Sequence, residues 1–329
     1  MQIHVLPNPS TPTGLSYPMD PFSVLCYKYI KHLSSKYTMI HYGLSGSTVD
    51  CEHVDIRASN KDDFNAVAGM HIQERKKPGD LIVCFYGGDN KLACDLNPDL
   101  TVIEPSIGYL PGAVFAPYRV FTSYSQMHMF YGERGMMMHP SWFDEVIPNA
   151  ITSKDFNYCE SKEDYFLFFG RVCRDKGIDI AIQATERAGK RLVLAGPGNL
   201  SDYGYTSVPK HVEVLGLCNA DQRRELMSKA AGMIAPTHYV EPFGNMVIEA
   251  NLSGTPVITT DWGGFTETVI HGKTGFRCRD FNSFVDAIER IDWILPKECR
   301  LHGLQYDDEP IHQRHDMYLQ KVIKGSFYA

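Results

Sequence analysis

The sequence contains no apolar run long enough to cross a membrane. Its longest apolar runs, such as residues 81–86, have the length of a strand, whereas a membrane-spanning helix needs ~20 apolar residues. Neither a basic stretch nor a small-residue cleavage site precedes the strand-like segment at residues 1–6. We therefore expect a cytoplasmic chain with no secretion signal and no transmembrane segment, and only peripheral membrane contact stays open.

An excess of basic charge and a paired spacing of metal ligands are absent as well. The formal net charge is −7 and the pI is near 6.0, so a nucleic-acid partner is not expected, because phosphate backbones are held mainly by Lys and Arg. The nine cysteines are scattered, and neither an Asp-x-Asp pair at a strand end nor a His/Cys ligand cluster is found. The sequence therefore predicts no metal, no cofactor and reduced, buried thiols.

Fixed-period repeats and low-complexity tracts are also missing, which excludes repeat folds. What the chain has is length, because 329 residues of 43% hydrophobic composition suffice for two α/β domains. The pattern of strands and helices breaks at a Pro-Asn turn at residues 148–149 and at the charged segment that follows. We therefore predict a first domain at residues 1–150 and a second that begins at residue 151.

The second half alternates regularly between short apolar strands and amphipathic helices. The predicted strands are at residues 165–169, 191–195, 212–215, 232–235 and 256–259, and the predicted helices are at 178–188, 221–231, 245–253 and 281–291. This order specifies a doubly wound parallel sheet. The first half is less regular, with predicted strands at 3–6, 38–42, 81–85, 101–103 and 119–121 and a helix at 22–33. Ligands of such sheets bind beyond the carboxyl ends of the strands.

A basic, glycine-bounded turn follows the first strand of the second half. Residues 170–177 spell Gly-Arg-Val-Cys-Arg-Asp-Lys-Gly, and glycine lets a backbone approach a ligand closely. Arg171 and Lys176 would balance the charge of a diphosphate through charge-assisted hydrogen bonds. An ordinary turn with solvated basic residues is the alternative. Gly196 and the Gly216-Leu217 pair follow the next two strands and are weaker candidates for the same ligand edge.

The most specific segment places two glutamates eight residues apart, Glu241 before a helix and Glu249 within it. Glu241 would accept hydrogen bonds from sugar hydroxyls. The amides of Phe243, Gly244 and Asn245 would meet phosphates, since the first turn of a helix leaves N–H groups unpaired and attracts anions. Glu249 would then lie near a ribose. Its alternative is a solvated helix face, but apolar neighbours surround it, and a carboxylate in such a helix needs a specific partner.

These residues resemble the E-x7-E signature of the retaining glycosyltransferase family four. Gly170-Arg171 with Lys176-Gly177 matches the family's G-R-x4-K-G element, and Gly254-Thr-Pro-Val-Ile258 with Gly263-Gly264 and Glu267 matches its following strand and loop. The resemblance covers the chain from about residue 146 to the end. It implies the GT-B fold, two Rossmann-like α/β domains with a cleft between them. Residues 1–150 would bind the acceptor, 151–310 the donor, and 311–329 would pack back on the first domain.

The resemblance also implies a function and roles for individual residues. Arg171 and Lys176 would hold the diphosphate of a UDP- or GDP-linked sugar, Glu241 the sugar hydroxyls and Glu249 the ribose. The implied reaction is metal-independent transfer of a hexose, with retention, to a glycan, a lipid-linked or a small-molecule acceptor in glycan biosynthesis. The further donor-binding positions are Gly170, Gly196, Leu217, Phe243, Gly244, Asn245 and Met246.

The first domain departs from the family pattern in two places. Many members carry a histidine after a strand of this domain, whereas this chain has Glu104 in the comparable stretch. Glu104 would contact the sugar or acceptor, or else serve as a capping or buried, paired carboxylate. The N-terminal loop keeps one glycine, Gly14, where the family often has two, and Gly14 is a candidate for the acceptor or sugar side.

Other functions stay open as alternatives. In one alternative the chain is an inactive sugar-nucleotide-binding protein, and in another it is an enzyme that glycosylates a modified nucleic-acid base. A GT-B epimerase or phosphorylase is disfavoured, because a phosphorylase would require a much longer chain. His128, His139 and His238 lack partners at ligand spacing and are interpreted as surface or core histidines. The aromatic and methionine cluster at residues 124–138 is interpreted as core packing, with an acceptor groove or lipid contact as alternatives. The sequence sets no oligomeric state.

Overall fold

A computed structural model of the chain describes residues 1–16 and 20–325. The chain divides into two compact units, Met1–Ala150 with Asp308–Ala329, and Ile151–Asp307. The boundary expected at 150/151 falls at this division. The chain returns to the first unit at residue 308 rather than 311, because residues 308–310 already belong to the helix that packs there. The acceptor and donor roles given to the two domains stay predictions.

The first unit is built on a seven-stranded sheet with the order β3-β2-β1-β4-β5-β6-β7, in which every neighbouring pair is parallel. Its elements in chain order are β1 (Gln2–Leu6), α1 (Pro21–Leu33), β2 (Thr38–Gly43), β3 (Glu52–Asp55), α2 (Lys61–Arg75), β4 (Leu81–Cys84), α3 (Lys91–Asp95), β5 (Thr101–Ile107), β6 (Tyr118–Phe121), α4 (Tyr124–Glu133) and β7 (Glu145–Val146).

The central strand of this sheet, β4, is apolar on both faces because helices cover both. Leu81 and Val83 pack into a core cluster with α1. Ile82 and Cys84 belong to the cluster on the other face, with Phe64 of α2. Successive side chains of a strand point to opposite faces. A nearly continuous apolar run is therefore what a parallel sheet buried on both sides requires.

The second unit is built on a six-stranded parallel sheet with the order β10-β9-β8-β11-β12-β13. Its elements are β8 (Tyr165–Phe169), α5 (Ile178–Arg187), β9 (Arg191–Ala195), β10 (Val212–Gly216), α6 (Ala220–Lys229), β11 (Gly232–Ala235), α7 (Asn245–Leu252), β12 (Val257–Thr260), α8 (Phe265–Thr268), β13 (Gly275–Cys278), α9 (Phe281–Glu289) and α10 (Pro296–Gly303). Strand order reverses between β8 and β11, which is where ligands of doubly wound sheets bind.

The sequence missed elements that lack a clean periodic pattern. The apolar residues that helix α2 buries are few, namely Phe64, Ala68 and Ile72, and the strand β3 has only partly buried or exposed residues. The strand β5 was predicted to end at residue 103, but it continues through Pro105 to Ile107. Its pairing with β6 shifts register between Glu104 and Ile107, and this irregularity accommodates a proline that has no N–H to donate.

The last helix, α11 (Asp308–Lys324), packs on the sheet of the first unit. Ile311, Tyr318, Leu319 and Val322 of this helix are buried in the same core cluster as β1 and α1. The Tyr318 hydroxyl donates to the carbonyl oxygen of Phe143 at 2.9 Å. Helix α11 is thus an integral layer of the first unit. Among residues 1–16 and 20–325, no helix combines the length and the apolarity that a bilayer crossing requires.

Replacement of Leu319 by Ala is expected to destabilise the first unit by about 2–5 kcal/mol, because it removes a fully buried side chain and leaves a cavity. Met317, on the same helix but 69% exposed, provides the control, since Met317→Ala should change stability by less than about 0.5 kcal/mol. Chemical denaturation of both variants measures the difference. Equal stabilities would contradict the packing described for α11.

Acid is expected to destabilise the first unit through His41 of β2. This side chain is buried, with Nε2 2.9 Å from the Thr13 hydroxyl and Nδ1 2.9 Å from Nδ1 of His53. Burial, and then the neighbouring His53, lower the pKa of His41 from 6.5 to about 3. The folded chain therefore binds a proton at His41 less readily than the unfolded chain does. The free energy of unfolding is therefore unaffected by His41 above pH 6.5 and decreases as the pH falls towards 3.

The expected contribution of His41 to this loss is about 2 kcal/mol at pH 5. The melting temperature of His41→Gln, measured from pH 7.5 to pH 5, should fall less steeply than that of the parent chain. His128 is exposed, and His128→Gln should keep the parent's pH profile. A His41→Gln profile parallel to the parent's would show that His41 does not cause the acid sensitivity.

Candidate functional site

Main chains converge at the carboxyl ends of β8, β9 and β10. The N–H of Gly170 donates to the carbonyl of Ala195 at 2.9 Å, and that of Gly196 donates to the carbonyl of Gly216 at 2.7 Å. A Cβ atom on Gly196 would lie 1.9 Å from the Gly170 oxygen. The sheet edge thus brings these predicted glycines together, and Leu217, next to Gly216, is 69% exposed.

The turn after β8 is held against the end of β11 by a second close approach. Gly177 has a φ of 74°, and a Cβ atom there would lie 2.0 Å from the carbonyl oxygen of Pro236. The His238 N–H donates to the carbonyl of Asp175 at 2.9 Å. These contacts fix Lys176 beside the segment that carries Glu241.

Lys176 and Glu241 form an ion pair that a tyrosine completes. The Lys176 ammonium donates to Oε2 of Glu241 at 2.8 Å, and the Tyr239 hydroxyl donates to the same oxygen at 2.7 Å. The ammonium also lies 4.7 Å from the centroid of the Tyr239 ring, within the range of a cation–π interaction. Both charged side chains are nearly buried, at 13% and 14% exposure, so solvent screens this pair less than a surface pair.

The electrostatics keep Tyr239 a hydrogen-bond donor. Burial, and next the negative charge of Glu241, raise the pKa of Tyr239, while the charge of Arg171 acts in the opposite direction. The phenol therefore stays protonated, and the exposed Arg171 lies near enough to influence it. The backbone is held too, because Trp262 Nε1 donates to the Tyr239 carbonyl at 3.1 Å.

Helix α7 begins beside this cluster. Its N-cap, Gly244, has a φ of 87°, and a Cβ atom there would lie 2.5 Å from the Phe265 ring. Phe243 is buried, and its ring centroid lies 5.7 Å from that of Tyr306. Asn245 and Met246 are the first two residues of the helix and are partly buried. The positive end of the helix dipole lies at this turn.

Glu249, one turn into α7, is buried and paired. Its carboxylate contacts the guanidinium of Arg223 from α6. That guanidinium lies 5.4 Å from the ring centroids of both Phe156 and Phe169. Glu249 is therefore not on a solvated helix face, and the expected specific partner is an arginine held between two aromatic rings.

The two predicted residues of the first half lie in the first unit. The Gly14 N–H lies 3.1 Å from the Ser23 hydroxyl, and a Cβ atom at Gly14 would lie 2.6 Å from the Thr48 hydroxyl. This close approach explains the glycine. Gly14 thus contacts α1 through Ser23 and the loop after β2 through Thr48, while a role on the acceptor or sugar side stays a prediction.

Glu104 is fully buried and accepts hydrogen bonds at both oxygens. The Tyr109 hydroxyl donates to Oε1 at 2.6 Å, and the amides of Phe115 and Ala116 donate to Oε2 at 3.0 and 2.8 Å. Burial raises the pKa of Glu104, and these hydrogen bonds oppose the shift. The geometry favours the alternative of a buried, paired carboxylate that fixes the loop between β5 and β6, while a contact with sugar stays a prediction.

Two side chains of the site were not predicted from the sequence. Tyr239 stands two residues before Glu241, so in an extended segment both side chains point the same way; this spacing was the available signal. Arg223 gave no signal, because a helix as polar as α6 carries several charged residues and only the fold selects the one that meets Glu249.

The second unit is similar to a family of transferases. Residues 163–291 match the family model described as glycosyl transferases group 1. Glycogen synthase from Mycobacterium tuberculosis is 33% identical over 137 residues, which are 38% of this chain and 33% of that protein. An uncharacterized glycosyltransferase from Methanocaldococcus jannaschii is 36% identical over 147 residues, 41% of this chain and 37% of that protein. The matched part of the chain spans about a third of the length of these curated relatives.

Solved structures match nearly the whole chain. AviGT4, a glycosyltransferase involved in avilamycin A biosynthesis, superposes with a TM-score of 0.73 at 20% identity over 99% of both chains. Sucrose-phosphate synthase from Thermosynechococcus elongatus gives 0.76 at 17% identity, covering 99% of this chain and 100% of that one. HepE from Anabaena, solved with UDP and glucose, gives 0.74 at 15%, covering 98% and 100%. The fold is GT-B, as the sequence predicted, with two Rossmann-like α/β units.

The close approach at Gly177 should be visible in stability. Gly177→Ala is expected to cost more than about 3 kcal/mol, because the methyl group would meet a backbone carbonyl that cannot move independently of β11. Gly189 has a similar φ of 64° but open space around its Cβ position. Gly189→Ala should therefore cost only about 1–2 kcal/mol, the strain of the left-handed conformation. Chemical denaturation compares the two, and equal costs would contradict the contact.

Proposed function

We propose that this protein is a retaining, metal-independent glycosyltransferase of family four, which transfers a hexose from a nucleotide diphosphate sugar. The observation that carries the proposal is the Lys176–Glu241–Tyr239 cluster at the start of α7. It stands in a unit similar to group 1 glycosyl transferases. The donor domain would be the second unit and the acceptor domain the first.

The cluster has the chemistry that a sugar diphosphate requires. An ammonium has three N–H donors, so Lys176 can keep its bond to Glu241 and donate to a phosphate oxygen as well. Arg171 adds a second cation. The Glu241 carboxylate has further lone pairs for sugar hydroxyls, and the Tyr239 hydroxyl bonded to it fixes its orientation.

The start of α7 would receive the diphosphate. Its dipole and the amides of residues 243–246 favour an anion, and Glu249 stands one turn further along the helix. In our proposal the ribose hydroxyls donate to Glu249, which keeps Arg223 as its counter-ion. That pairing stabilises the charged carboxylate in a buried place, where an unpaired charge is costly.

The proposed reaction proceeds on one face of the sugar. The bond between the anomeric carbon and the diphosphate oxygen breaks, the acceptor oxygen bonds to the same carbon from the same side, and its proton passes to the departing phosphate oxygen. Lys176, Arg171 and the helix amides stabilise the charge that develops on the diphosphate. Catalysis then consists mainly of positioning and electrostatic stabilisation.

UDP is the first nucleotide to test, because a structure of the same fold holds UDP and glucose, and GDP is the second. The acceptor, a glycan, a lipid-linked or a small molecule, is set by the first unit in this proposal. The cytoplasmic location also stays a prediction.

The decisive experiment combines binding with turnover, in EDTA. The melting temperature is measured with UDP, GDP, ADP and their sugars, and a rise selective for one base is expected. A ligand ~100-fold above its Kd stabilises the folded chain by about 2.7 kcal/mol. Arg171→Ala should abolish most of this rise. Arg174→Ala, in the same turn and exposed, should preserve it. Glu241→Gln should keep nucleotide binding but lower the release of free nucleotide from the sugar donor by about 100-fold or more.

Each other outcome selects an alternative. Binding without turnover in the parent chain would identify an inactive sugar-nucleotide-binding protein. No thermal response to any nucleotide, or parent-like turnover in Glu241→Gln, would overturn the assignment of this site. Turnover that needs a divalent cation would overturn its metal independence alone.

A further inference from the structure

Three side chains with metal-binding chemistry meet where α11 crosses α1 in the first unit. His32 lies in the last turn of α1, and Asp308 and His312 lie in the first part of α11. One ligand atom of each residue lies within 4.8 Å of those of the other two. Asp308 and His312 are four residues apart, so they share one face of the helix. Among residues 1–16 and 20–325, this is the one such group of three.

A hydrogen bond from one ring nitrogen of His312 orients the other nitrogen as a possible metal ligand. Nδ1 of His312 lies 2.6 Å from the carbonyl oxygen of Asp308. A carbonyl only accepts, so Nδ1 carries the proton of the neutral ring and Nε2 keeps its lone pair. Metal-binding histidines are commonly oriented through such a bond from the other ring nitrogen. The His32 ring stacks on that of His312, with centroids 4.2 Å apart and planes 12° from parallel.

The surroundings allow an ion to enter and then enclose it. His312 is buried, while His32 and Asp308 are partly exposed. Four tetrahedral ligands of Zn²⁺ lie about 3.3 Å from one another, given bond lengths of about 2.0–2.1 Å. The ligand atoms lie within 4.8 Å of one another, so they would have to approach by at most about 1.5 Å to reach that spacing.

One cation already competes for this place. The Lys28 ammonium lies 3.2 Å from Oδ1 of Asp308 and donates to the carbonyl of Ala150 at 3.1 Å. Like charges repel, so Lys28 weakens the attraction of the group for a divalent ion. A neutral side chain at position 28 should therefore strengthen binding.

We propose that His32, Asp308 and His312 bind one Zn²⁺ ion, with water as the fourth ligand, and that the ion fastens α11 to α1. Two imidazoles and a carboxylate suit zinc and similar transition metals, whereas Ca²⁺ and Mg²⁺ prefer oxygen ligands alone. The site lies in the first unit and is structural. It does not depend on the proposed function, and no residue of the Lys176–Glu241–Tyr239 cluster takes part.

The test is titration of the metal-stripped full chain with Zn²⁺ by calorimetry, and with Co²⁺ by absorption spectroscopy. We expect one strong site and a rise in melting temperature with the metal. His32→Gln and Asp308→Asn should each weaken binding by about tenfold or more. Glu309→Gln changes the same charge at the exposed neighbouring position and should leave the affinity unchanged. Lys28→Gln should tighten binding several-fold.

His312→Ala is the third ligand variant, and circular dichroism of the metal-free chain separates a loss of fold from a loss of ligand. The partly exposed His32 and Asp308 keep the proposal testable if His312→Ala unfolds. Absence of a zinc site in the parent chain would overturn the proposal. Affinity that is unchanged in both His32→Gln and Asp308→Asn would overturn it as well, because the ion would then lie elsewhere, for example on a cysteine.

Discussion

At the carboxyl ends of the strands in the second unit, main chains approach more closely than a Cβ atom permits. Gly196 meets the carbonyl of Gly170, and Gly177 meets that of Pro236. These contacts set the distance between the turn after β8 and the segment after β11. The ion pair of Lys176 with Glu241 depends on that distance, because each residue stands next to a segment that the glycines bring into contact.

Contacts between backbone segments therefore position the side chains of the candidate site. Gly244 allows α7 to begin against Phe265, and the helix then carries Glu249 to Arg223. Each carboxylate of the signature has a cation as partner within its own unit. The paired cation holds each carboxylate in place, and carboxylate oxygens are the acceptors that sugar and ribose hydroxyls require.

The second unit was the more predictable half because its pattern is periodic. All five strands that the sequence predicted there exist, and the four predicted helices begin within one residue of their expected positions. The first unit was less predictable. Its edge strand β3 buries little, and α2 has a narrow apolar face, so neither produces a strong signal of period two or 3.6. The strand β5 exceeded its prediction because a register shift tolerates Pro105.

The sequence by itself determined the fold class and singled out Lys176, Glu241 and Glu249 as candidate site residues. These depend on local order and spacing, which a chain carries in one dimension. Only the tertiary structure decided that Glu104 is satisfied by its own loop, that Arg223 is the partner of Glu249, and that His32 meets Asp308 and His312. Such contacts join residues far apart in the chain, and they exist only once the helices pack on a common sheet.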